Sequence, residues 1–218
     1  MSAAFSCIIF YKGEPMKNNS DAAAVKMAEI KAYFDARAKR WDAKNSQDPK
    51  KLHRIADACD IRAGHKVLDA ACGTGVLFPY LLQYNLSRLH AVDVSEKMIR
   101  AAHGKCRDQR LSLAPVDLLQ LTGPRFHRVV MYNAYPHFLD KAALAKKMHS
   151  LMRRGGRFVL AHGSGRHAIN SRHKAHGAKS ISAALRPLAA EQKWFSPWFD
   201  IDQCVETDDI LILSGTKK

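Results

Sequence analysis

Two acids and a turn of small residues stand where a cationic ligand could be gripped. Asp69 precedes Ala70-Ala71-Cys72-Gly73-Thr74-Gly75. Asp93 lies about 20 residues past that turn, the distance at which an acid meets ribose hydroxyls in nucleotide-type sites. Gly73 and Gly75 allow the backbone to approach a ligand closely. A dinucleotide turn, G-x-G-x-x-G, needs a third glycine, but Val76-Leu77-Phe78 follow Gly75. An acid ahead of the turn also repels a pyrophosphate and suits a cation. Both features disfavour a nicotinamide dinucleotide.

A second group of reactive residues lies further along. Tyr132-Asn133-Ala134-Tyr135-Pro136-His137-Phe138 offers Tyr135 and His137, and Ala161-His162-Gly163-Ser164-Gly165-Arg166 opens a segment rich in imidazoles. His137, His162 and Tyr135 are the candidate catalytic groups. Ser164 can cap a helix beginning at Gly165, and Arg166, Asn170 and His173 then recur at i, i+4 and i+7 on one face. Arg166, Asn170 and His173 on that face could bind a carboxylate or phosphate. His137, His162 and His173 could form a three-histidine site for a divalent metal.

These residues need elements to place them. Asp21 to Trp41 reads as one amphipathic helix, with Ile30, Phe34, Ala38 and Trp41 in phase. Leu52, Ile55, Ala56 and Cys59 mark a second, stopped near Gly64. Strands are expected over residues 65–70, 89–93, 111–115, 127–132 and 157–161, with a last one over 210–213. Crossover helices are expected over 76–84, after Ser95, and from Asp140 to the Gly155-Gly156 pair. Such alternation predicts an α/β fold with a doubly wound, mostly parallel sheet, and ligands outside the carboxyl ends of its strands. Residues 1–20 read as a flexible extension and 21–218 as a single domain.

Four segments in register resemble the class I S-adenosylmethionine-dependent methyltransferases. Residues 69–75 resemble the D-x-G-x-G-x-G motif, with Ala71 for its first glycine. Ala91-Val92-Asp93-Val94-Ser95-Glu96-Lys97-Met98 resembles the second motif, Pro115-Val116-Asp117-Leu118-Leu119 the acidic motif on the adenine side, and Leu151 to Leu160 the late L-x-P-G-G motif, with Arg154 for proline. Tyr33 to Asp42 resembles the leader helix of the small-molecule branch of ubiquinone-biosynthesis type. The resemblance implies a seven-stranded Rossmann-like fold with N-terminal helices and S-adenosylmethionine as cofactor. It implies that Asp69 and Gly73 shape the methionine side, that Asp93 binds the ribose, that Val94 and Met98 flank the adenine, that Asp117 reaches its amino group, and that Ala71, Gly75 and Asn133 also bind the cofactor. Asn133-Ala134-Tyr135-Pro136 departs from the N-P-P-Y of amide and exocyclic-amine methyltransferases, which argues against those acceptors.

Composition narrows the partners. The chain has 218 residues, formal net charge +15, and 47% hydrophobic against 25% charged residues, as a globular protein has. No apolar run approaches the length of a membrane span. Five scattered cysteines without C-x-x-C spacing suggest free thiols in a reducing cytoplasm. From Lys141 to Ala190 there are eleven Lys and Arg and no Asp or Glu. That field attracts anions. The expected acceptor is a small anionic molecule. The alternatives are an RNA substrate bound through residues 141–190, and a non-catalytic cofactor-binding or interaction module.

Overall fold

The computed structural model describes residues 19–45, 47–175 and 178–218. The expected extension, residues 1–20, lies almost wholly outside them. Helix α1 (Asn19–Asp35) is followed by a 3-10 turn (Ala38–Arg40), α2 (Trp41–Lys44) and α3 (Pro49–Ala58). Strands β1 (Lys66–Ala70), β2 (Arg88–Asp93), β3 (Leu111–Pro115) and β4 (Phe126–Tyr132) alternate with α4 (Phe78–Leu82), α5 (Glu96–Lys105) and the short 3-10 turn Leu118–Gln120. Then come α6 (Lys141–Leu151), β5 (Met152–His162), α7 (Arg166–Ala175), α8 (Leu188–Glu191), β6 (Phe199–Glu206) and β7 (Leu211–Lys217).

The strands form one sheet in the order β3-β2-β1-β4-β5-β7-β6. The first five are parallel, and β7 runs antiparallel between β5 and β6. The central strands are apolar at nearly every position because both faces are covered. Leu68, Met131, Phe158 and Leu160 pack one way, with Leu144 and Met148 of α6. Their neighbours Val67, Val130 and Val159 pack the other way, with Ile55 of α3 and Leu81 of α4.

Local boundaries follow side-chain chemistry. Asp48 caps α3 through the Lys50 N–H, with Pro49 in its first turn. Ser95 accepts from the Met98 N–H at α5, and Asp140 from the Ala143 N–H at α6. Several extents differ from expectation. The first helix breaks after Asp35, whose carboxylate is drawn out to Ser95 and the Lys97 N–H. Helix α4 is confined to Phe78–Leu82, because the turn through Gly75 continues to Leu77. Helix α6 ends at Leu151, and Gly155-Gly156 falls within β5 instead of stopping the helix. Strand β6 was not expected.

Candidate active site

The carboxyl ends of β1, β2, β4 and β5 open on a cavity of about 1350 Å³. Its acidic side starts at Asp69 and Asp93, 2% and 8% exposed. Asp93 is anchored: its Oδ2 accepts from the Gly73 N–H at 2.9 Å and its Oδ1 from the Ser95 N–H at 2.8 Å. Burial raises its carboxyl above the usual range. Burial, then the charge of Asp93, pushes Asp69 up to about 8, and no hydrogen bond among the described residues offsets this. The turn between them holds Ala71, Gly73 and Gly75 in left-handed backbone, at φ of 57°, 55° and 80°. At Gly75 a Cβ would come within 2.2 Å of the Phe78 ring, so no other residue fits without displacing it.

The N-terminal helices cover this side. Thr74 donates to Asp42 at 2.6 Å, and Asp42 also pairs with Lys105. Gln47 accepts from the Tyr132 hydroxyl at 2.5 Å. Phe34 meets His137 edge to face, with centroids 4.9 Å apart. Asp35, Asp42 and Gln47 were not singled out from sequence. Their partners are distant in the chain, so no local pattern marks them.

The imidazoles form the other side. His137, His162 and His173 all line the cavity, and the rings of His137 and His173 lie 5.2 Å apart. His137 Nδ1 lies 3.1 Å from the Ile181 carbonyl. A carbonyl only accepts, so Nδ1 carries the proton and Nε2 keeps a lone pair. Burial pushes His137 down to about 4 and His162 to about 3, and it also lowers His173. All three are therefore neutral near pH 7. His162 Nε2 and His173 Nδ1 are buried without a hydrogen-bond partner among the described residues. Such groups call for a ligand that supplies hydrogen bonds.

The methyltransferase domain family profile matches residues 67–156, from β1 into β5. Over those residues the chain is similar to a methyltransferase domain. It is 29% identical over 149 residues to the ubiquinone biosynthesis O-methyltransferase of Pseudomonas aeruginosa, covering 62% of each chain. It is 26% identical over 133 residues to the methyltransferase GfsG of Streptomyces halstedii, covering 56% of this chain and 48% of that one. The chain thus spans about half the length of several curated relatives that it matches. The magnesium protoporphyrin IX methyltransferase of Synechocystis, solved with bound S-adenosylhomocysteine, shares the fold at a TM-score of 0.68 and 20% identity, covering 88% of this chain and 100% of that one. A methyltransferase from Haloferax volcanii, solved in complex with the activator Trm112, does so at 0.71 and 18%, covering 84% and 97%.

The cofactor expected from the sequence motifs is S-adenosylmethionine. Its ammonium and sulfonium are the cationic complement of a buried acid that no donor among the described residues satisfies. Val94, Met98, Asp117 and Asn133 also line the cavity, with Asp117 accepting from the Leu119 N–H and Asn133 in left-handed backbone at φ 55°.

Other expected residues are placed differently. Tyr135 is buried away from the cavity, donating to Glu191 at 2.7 Å. Arg166 pairs with Glu206 at 2.7 Å, and both amide groups of Asn170 bond the Leu185 backbone. Neither lines the cavity. Helix α7 instead turns Ile169, its one large apolar residue, inward, and this brings Arg172 and His173 to the cavity at i+3 and i+4. Ser164, expected as a cap, accepts from Arg172 at 3.0 Å. The metal expectation also fails: among the described residues no three His, Cys, Asp or Glu are arranged to hold an ion. No described helix is long and apolar enough to cross a membrane.

Proposed function

We propose that this domain transfers a methyl group to a small anionic acceptor bearing an ionisable hydroxyl. The observation that carries the reading is one cavity holding two buried acids on one side and three neutral imidazoles on the other, two of them with buried nitrogens that find no partner among the described residues. Across β2, β1, β4 and β5 the two sides stand roughly 14 Å apart, at about 4.8 Å per strand. That span accommodates an extended cofactor and leaves its reacting end near the histidines.

In this reading Asp69, Ala71, Gly73 and Asn133 hold the methionine side, Asp93 the ribose, Val94 and Met98 the adenine faces, and Asp117 the adenine amino group. When bound, the cofactor supplies an electrophilic methyl on a positive sulfur. His137 Nε2 accepts the acceptor's hydroxyl proton. His162 and His173 orient the same group, and Arg172 takes the role first expected of Arg166 and Asn170 in binding its negative charge.

Methyl-labelled S-adenosylmethionine, offered with a panel of small phenolic and hydroxycarboxylic acids alongside total RNA, tests this. Label should enter the small-molecule fraction. His137→Ala and His162→Ala should each lower kcat by about 10²-fold, the contribution of a positioned acid-base group, while cofactor affinity stays near wild type. Label confined to RNA, or full turnover in both variants, would overturn the reading.

A further inference from the structure

The opposite, amino edge of the sheet carries a second concavity, of about 940 Å³, formed where β1, β4 and β5 begin. Six arginines line it against a single carboxylate, Asp60. Asp60 is already engaged. The buried Arg128 donates to it at 2.9 Å and Arg62 at 3.2 Å. Arg157 is taken by Asp202 and, at 2.8 Å, by Ser214. Arg125, Arg153 and Arg154 are exposed and pair with no acid among the described residues.

Two imidazoles complete the surface. His65 and His127 stack with centroids 4.8 Å apart and planes within 5°. Each Nδ1 accepts a backbone N–H, from Arg62 at 3.1 Å and from Lys66 at 2.9 Å. Each ring must therefore carry its proton on Nε2. Burial, with neighbouring guanidinium groups, holds both below the usual imidazole value, so both are neutral donors near pH 7.

We propose that this cleft binds a ligand carrying several adjacent phosphates. Three guanidinium groups without a counter-charge and two fixed N–H donors exceed what one carboxylate can satisfy. Planar guanidinium forks match phosphate oxygens two at a time. Strand β1 alone separates this edge from Asp69 by roughly 10 Å, at about 3.3 Å per residue. The phosphates are therefore not the methyl acceptor. They anchor or regulate from the far side of the sheet. Their source is either a free polyphosphate or the backbone of single-stranded RNA.

Calorimetric titration of the full chain with inorganic tripolyphosphate, and anisotropy with a short labelled oligouridylate, both at near-physiological salt, test this. Binding of at least one probe is expected, weakened about tenfold or more in the double variant R125S/R154S, as for lost charged hydrogen bonds. The control R54S/R107S, which removes the same charge elsewhere, should stay within about twofold of wild type. Unchanged S-adenosylhomocysteine binding in both variants shows the fold intact. Tripolyphosphate binding alone assigns a free polyphosphate. Oligouridylate binding, competed by tripolyphosphate or occurring without it, assigns an RNA backbone. Neither probe binding, or equal loss in the two double variants, overturns the proposal.

Discussion

The carboxyl of Asp69, held near 8 with no donor among the described residues, costs the unliganded fold stability whenever it ionises. The folded state keeps this proton up to about 8, whereas the unfolded chain releases it near 3.8, so stability falls as pH rises across that window. Urea denaturation of Asp69→Asn should show that decline flattened and a gain of about 1 kcal/mol or more at pH 8, together with weaker cofactor binding. The histidines act in the opposite sense. His137 and His162 are lowered to about 4 and about 3 from 6.5, so the unfolded chain takes protons that the folded state refuses. Their contribution is full above about 6.5 and is lost as pH falls toward 4. Denaturation midpoints of His162→Gln should drop less between pH 7 and pH 4.5 than those of wild type. An equal drop would mean that these imidazoles are not buried as neutral groups. The acids and His162 were legible in the sequence because each sits at a strand end, whereas His137 follows β4 in a 3-10 turn and His173 is carried by α7. Arg166 and Asn170 were misread because spacing alone groups residues on a helix face without saying which face turns inward. Ile169 held that information.

Among the elements, the turn from β1 into α4 carries the most constraint. Gly75→Ala would force a Cβ into the Phe78 ring and a non-glycine residue into φ +80°. Thermal denaturation should show a loss of about 1 to 3 kcal/mol. A neutral result would mean that the turn relaxes without strain. The five parallel strands were legible as apolar runs that both faces of a sheet demand. Strand β6 was not, although Phe199, Ile201 and Val205 are less exposed than the residues alternating with them. Asp200, Asp202 and Glu206 on its outer positions dilute the apolar signal. The break after Asp35 was equally invisible, since it answers to Ser95, 60 residues away.

Over the whole molecule, the chain separates charge by sheet edge. The acids lie at the carboxyl ends of β1 and β2, and the cleft crowded with arginine lies where β1, β4 and β5 begin. The basic run from Lys141 to Ala190 is not one continuous surface. Arg157, Arg166 and Arg186 pair with Asp202, Glu206 and Glu191 of the tail. Lys141 is buried over the Tyr135 ring at 3.7 Å, and burial lowers it to about 8. Sequence showed the excess of charge but not this pairing, which the fold creates. We infer a division of labour between the acids and the histidines of one cavity. Calorimetric titration with S-adenosylhomocysteine tests it most directly. Wild type should bind, Asp93→Ala should lose about 1.5 to 3 kcal/mol of binding free energy, and the double variant H137A/H162A should bind as wild type does. Absence of wild-type binding, or a loss in H137A/H162A as large as that in Asp93→Ala, would contradict the account.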